Sequence, residues 1–76
     1  MSKYELFGTA SCPYTVELRD WLEWKGYEYD EYDVDRDPQA RARMIAVSGQ
    51  RMVPLLLENG SVAKVGWHGR GCIIGA

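Results

Sequence analysis

The chain is poor in metal ligands of the soft kind: it holds two cysteines and one histidine. A structural zinc site needs four close ligands of these types, so none is expected and no metal is assigned. It is also poor in excess charge of either sign. Nine Lys and Arg face eleven Asp and Glu, for a formal net charge of -2, and the basic residues stand singly, so no basic face for nucleic acid exists. No apolar run approaches the roughly 18 to 20 residues that cross a bilayer, and the first residues lack a signal-peptide pattern. A membrane partner is excluded on this reading and a cytoplasmic location is expected. Repeats and low-complexity tracts are absent. With 46% hydrophobic and 26% charged residues the composition is that of a folded protein, and 76 residues leave room for a single domain, 1–76.

What is present centres on Ser11-Cys12-Pro13-Tyr14-Thr15. An apolar strand (Tyr4 to Phe7) ends at Gly8, a short polar turn follows, and Cys12 comes just before a segment of helical period. Unpaired N–H groups and the positive end of a helix favour an anion there, and the thiolate is the nucleophilic form of cysteine. Pro13 suits the first helical position because its φ is already fixed and it has no N–H to leave unpaired. The stretch reads as a cysteine of lowered pKa held at one surface. The competing reading is a buried structural cysteine at a strand-to-helix junction.

The helix runs from Tyr14 to about Lys25, with Leu18, Trp21, Leu22 and Lys25 on its inward stripe, and stops at Gly26. Trp24 falls off that stripe and is expected half exposed. Tyr27 to Val34 reads as a second strand with a bulge where the alternation slips. Its tyrosines are packing residues, and the acidic run from Asp30 to Asp37 is a solvated edge rather than a metal loop. Asp37-Pro38 opens a second helix that reaches about Val47, with Met44 and Ile45 inward, and Gly49 ends it. Met52 to Glu58 reads as a third strand carrying Pro54 near its start. Asn59-Gly60 makes a hairpin into Ser61 to Val65. Helical crossovers make the first two strands parallel, and the hairpin makes the last two antiparallel. The end, Gly66 to Ala76, is a glycine-rich loop followed by one apolar turn.

In this order the motifs resemble those of a glutaredoxin, within the thioredoxin-like superfamily: Cys12-Pro13-Tyr14, Asp35-Arg36-Asp37-Pro38, Gly49-Gln50-Arg51-Met52-Val53-Pro54 and the hairpin behind them. The resemblance implies an α/β fold, a four-stranded mixed sheet with helices on both faces and here a short C-terminal tail. It implies a cis peptide before Pro54, lying against Cys12, with Val53 offering its backbone to glutathione or an extended substrate. It implies a thiol-disulfide oxidoreductase of cell redox homeostasis, acting on glutathione-mixed or protein disulfides, as a monomer or weak dimer.

Three positions depart from the family pattern. Thr15 replaces the second cysteine of a dithiol glutaredoxin, Thr9 replaces the lysine three residues before the nucleophile, and Gly66-Trp67-His68-Gly69-Arg70-Gly71 replaces the Gly-Gly-x-Asp turn. Glutathione would then be met by Tyr14, Val53 and Pro54, with Gln50, Arg51 and Arg70 toward its carboxylates. Cys72 has two readings, a distant resolving cysteine or a small apolar residue. Thr15 either donates to the thiolate or caps the first turn. His68 is read as a solvent-facing loop residue rather than a proton shuttle, and Trp67 as packing on the tail. Relatives carry a full last helix where this tail stands, so a strip of sheet is expected to be met by Trp24 or a second subunit. Two further functions stay open: an iron-sulfur cluster carrier built on two copies of Cys12, and a redox-sensing module switched by a Cys12 to Cys72 disulfide.

Overall fold

The computed structural model describes residues 3–74. Strand β1 (Tyr4–Gly8) leads to helix α1 (Pro13–Lys25), strand β2 (Tyr29–Asp33), helix α2 (Pro38–Ser48), strands β3 (Met52–Val53), β4 (Leu55–Glu58) and β5 (Ser61–Val65), and a last strand β6 (Cys72–Ile73). Four strands form one sheet in the order β2-β1-β4-β5, with β1 and β2 parallel and the other neighbours antiparallel. The architecture is the thioredoxin-like α/β fold that the motif order implied.

Strand alternation sorts the core into two layers. Leu6 and Leu56 meet Leu18 and Leu22 of α1 on one face. Phe7, Leu55 and Leu57 meet Ala40 and Met44 of α2 on the other, with Val34, Val53 and Cys12. Each fully buried Leu or Met contributes roughly 1.5–3 kcal/mol relative to exposure. The second helix starts where expected: Asp37 Oδ1 accepts from the N–H groups of Gln39 and Ala40, both at 3.1 Å. Two ion pairs tie helices to strands across the surface, Arg19 with Glu31 and Arg43 with Glu5.

Several expectations are corrected. Tyr27 lies before β2, where its ring stacks on Tyr4. The β1–β2 register is unbroken, and the irregularity falls instead between Leu56 and Leu57 in the β4–β5 hairpin. Residues 52–58 are two strands rather than one, because Pro54 interrupts them and β3 pairs with β6. The tail accordingly contributes a strand through Cys72 and Ile73 where a helical turn was expected; residues 75 and 76 lie outside the described residues. Lys25 is exposed, its Nζ lying over the rings of Trp21 and Trp24. Trp24 is 78% exposed rather than half exposed. The α1 face beside β5 is occupied by Trp21 and Trp67, 5.9 Å apart between ring centres, with Lys64 Nζ over both rings.

Candidate active site

Cys12 is the residue that caps α1, with extended backbone (φ -91°, ψ 113°), and its carbonyl accepts from the N–H groups of Thr15 at 3.1 Å and Val16 at 3.4 Å. The peptide between Val53 and Pro54 is cis, and the Val53 carbonyl oxygen lies 3.8 Å from Cys12 Sγ. The β3 end and the α1 start therefore converge on one sulfur, as the motif order implied. The sulfur is not held at an open surface, however: Cys12 is 1% exposed.

Burial pushes the Cys12 thiol up, and hydrogen bonds more than offset it, so its pKa lies below the ordinary thiol value. The donors are the Cys72 thiol, the Thr15 hydroxyl, and the backbone amides of Thr15 and Tyr14. Cys72 moves the opposite way, pushed up first by its hydrogen bond to Cys12 and then by burial. Of the two thiols, Cys12 is the readier to ionise. In the protonated form Cys12 donates to the Val53 carbonyl. Both cysteines are free.

Thr15 is fully buried, and its hydroxyl finds no conventional partner among the described residues. It packs on Gly8, where an added Cβ would overlap the Thr15 side chain. A buried hydroxyl without a partner calls for an explanation, and the neighbouring Cys12 sulfur offers one, since the Thr15 side chain is among the groups that lower its pKa. The expected alternative, capping of the first turn, has no hydrogen bond to support it, since the Thr15 hydroxyl bonds to no backbone group among the described residues.

A two-residue turn brings Cys72 here. Trp67 N–H donates to the Arg70 carbonyl at 2.6 Å and Arg70 N–H to the Trp67 carbonyl at 2.9 Å, with His68 (φ 52°) and Gly69 (φ 76°) both left-handed between them. That is the hairpin geometry whose twist matches paired strands. The chain then passes Gly71 so close to β3 that a Cβ there would lie 2.5 Å from the Val53 oxygen. Sequence reasoning missed this pairing; the signal was glycine at 66, 69 and 71 around one cysteine.

The remaining candidates divide. Tyr14 is half-buried and lines a cavity of about 290 Å³ with Glu17, Trp67, His68 and Arg70. Gln50 and Arg51 are exposed in the connection from α2 to β3, and the Arg51 carbonyl accepts from Ile74 N–H at 2.8 Å. His68 is exposed, its ring edge against Trp67 at 4.5 Å. Trp67 packs on Trp21 of α1 rather than on the tail. Thr9 is buried, with its hydroxyl 3.5 Å from that of Ser11.

A thiol at a helix start, facing a cis-proline at the end of a central crossover, places the chain in the thioredoxin-like class. The crystal structure of the thioredoxin-like protein BC3987 superposes with a TM-score of 0.81 at 28% identity, covering 90% of this chain and 86% of that one. The glutaredoxin of Archaeoglobus fulgidus shares the fold with a TM-score of 0.80 at 16% identity, over 90% of this chain and 78% of that one. Residues 4–63 match the family model described as Glutaredoxin, and the chain belongs to the glutaredoxin family. It is 37% identical over 59 residues to a probable glutaredoxin of Synechocystis, covering 76% of this chain and 54% of the relative. With the glutaredoxin of Pseudomonas aeruginosa it shares 33% over 49 residues, 64% of this chain and 58% of the relative. The chain thus spans little more than half the length of these curated relatives. Family membership supports thiol-disulfide oxidoreductase chemistry.

Proposed function

We propose that the chain, acting as one domain, is a thiol-disulfide oxidoreductase in which Cys12 is the nucleophile and Cys72 the resolving cysteine. The observation that carries this reading is the placement of Cys72 opposite Val53 in the β3–β6 ladder, with the Val53 carbonyl oxygen 3.8 Å from Cys12 Sγ. Cys12 thiolate attacks one sulfur of a disulfide, a mixed disulfide forms on Cys12, and the other sulfur leaves as a thiolate. Cys72 loses its proton to water or buffer, attacks Cys12 Sγ, and releases the bound thiol. Two electrons have then passed from the dithiol to the substrate, and two molecules of an external thiol return them, leaving as their disulfide. Glutathione is our candidate for that thiol and for one half of the mixed disulfide. Arg70, exposed beside Tyr14, and Gln50, exposed next to β3, offer partners for its carboxylates. Two free cysteines fit a reducing compartment such as the cytoplasm.

The test is turnover of a glutathionylated peptide with glutathione as reductant. Cys12→Ser is expected to abolish it, and Cys72→Ser to accumulate the Cys12 mixed disulfide, visible by mass spectrometry. Undiminished turnover in Cys12→Ser refutes the reading. Loss of turnover in Cys12→Ser without an accumulating adduct in Cys72→Ser removes the resolving role alone.

A further inference from the structure

A nucleophile for disulfides needs a path of approach, yet Cys12 is 1% exposed. Its cover includes the chain's own last strand. Cys72 stands opposite Val53 in an antiparallel ladder, and Ile74 N–H donates to the Arg51 carbonyl two positions along. Bonded and non-bonded pairs alternate in such a ladder, which makes Val53 and Cys72 the next bonded pair. The backbone groups through which an extended ligand would add to the β3 edge are therefore engaged by β6. Cys72 itself belongs to β6 and packs against the core cluster that contains Cys12. A half-cystine paired with Val53 would take the position that Cys72 now fills.

We infer that β6 is a tethered mimic of the substrate that shuts the site in the dithiol state, and that the substrate is an extended peptide disulfide replacing it strand for strand. The inference rests on the thiol-disulfide reading above. The mimic also states what the substrate needs at each position. Before the half-cystine, a Cβ at Gly71 would lie 2.5 Å from the Val53 oxygen and 2.8 Å from Met52 Cγ, so glycine is required. After it, Ile73 is 69% exposed and leaves the position unrestricted. Ile74, two residues on, is 6% exposed within the α2-side core, so an apolar residue belongs there. The pattern is Gly-Cys-x-Ile.

β6 contributes two residues to a two-stranded ladder, the kind of element that opens locally well below the free energy of global unfolding. Once it lifts, a peptide disulfide pairs with β3, Cys12 thiolate attacks the peptide half-cystine, and the peptide's former partner leaves as a thiolate. β6 then competes for the same edge. Its return brings the Cys72 sulfur to Cys12, forms the Cys12–Cys72 disulfide and expels the peptide as a thiolate. Two molecules of an external thiol reduce that disulfide, leaving as a disulfide of their own, and β6 closes again.

Two measurements on the full chain test this. The first is the rate of Cys12 alkylation by iodoacetamide, followed by mass spectrometry at a pH where Cys12 is ionised. Gly71→Val places a branched side chain against the Val53 oxygen, and Ile74→Asp charges the buried anchor. Each is expected to speed alkylation by about tenfold or more, the factor set by a modest loss of closure. Unchanged rates in both variants, with circular dichroism showing them folded, overturn the gate. The second compares Gly-Cys-Ala-Ile and Val-Cys-Ala-Ile peptides, each as a mixed disulfide with a chromogenic thiol, on the wild-type protein. The glycine peptide is expected to exchange about tenfold faster, and equal or reversed rates overturn the template. Exchange that persists in Cys12→Ser refutes the oxidoreductase reading instead, because the alkylation result concerns the gate alone.

Discussion

Replacing Thr15 by valine removes one hydroxyl and nearly preserves the shape of the side chain. Thr15 is fully buried against Gly8, so the packing that defines its position survives. In the thiol form its hydroxyl has no conventional partner among the described residues, and a buried polar group in that state costs about 1–3 kcal/mol. When Cys12 ionises, the same hydroxyl donates to the sulfur, a bond to a charged group worth roughly 1.5–3 kcal/mol. Cys72 and two amides share that anion, so the low end applies, and the thiolate fraction at a pH below the Cys12 titration should fall by about tenfold. Stability should move the other way. Because the fold depresses the Cys12 pKa, ionisation stabilises the protein fully above the unfolded thiol value, and this is lost as pH falls through the folded value. Thr15→Val is therefore expected to gain about 1 kcal/mol at acid pH, where the orphan hydroxyl is a pure cost, and to lose that advantage at alkaline pH. Alkylation of Cys12 against pH gives the first quantity, and urea unfolding on either side of the titration gives the second. An unmoved alkylation profile with lower stability at acid pH would refute the reasoning.

Two other outcomes follow from the surface of the fold. The Glu5 carboxyl, whose side chain is 16% exposed, is held below its usual range by hydrogen bonds from Arg43, at 2.6 and 2.7 Å, against the opposing effect of burial. Arg43→Ala should cost about 1–2 kcal/mol at neutral pH, discounted for the exposed guanidinium. Glu5 stabilises above its unfolded value and loses this as pH falls through its folded one, so urea curves of variant and wild type should converge well below the 4.5 of a free glutamate. At the start of α2, Asp37→Ala removes two hydrogen bonds of 3.1 Å. It should cost about 1 kcal/mol by urea unfolding, with Asp37→Asn recovering most of it.

The parts of this fold with local causes were legible in advance. Pro13 and Gly26 bracket α1, Asp37-Pro38 opens α2, and Asn59-Gly60 makes the turn between β4 and β5. Each is a short-range effect, written where it acts. The Cys12 and Val53-Pro54 approach was reached through the motif order, because no local pattern joins residues 41 apart. The β3–β6 ladder was not reached at all. A pair of two-residue strands has no period to detect, and the branched Ile73 and Ile74 behind a glycine read equally as a turn. The burial of Cys12 was carried by the competing reading of a cysteine at a strand-to-helix junction, and the ladder that lies beside it was not. Trp24 misled for a different reason: a large apolar side chain on a helix suggests cover, whereas here Lys25 lies over the ring and the rest faces solvent.

Trp67 forms one leg of the turn whose other leg runs through Gly71 to Cys72, and its indole is fixed between Trp21 and the His68 ring. A swing of the tail strains that stack directly, with Lys64 close enough to both indoles to sense a change in their spacing. The molecule thus carries an optical gauge beside its sulfur chemistry, and its unlabelled ultraviolet emission is expected to change when β6 lifts.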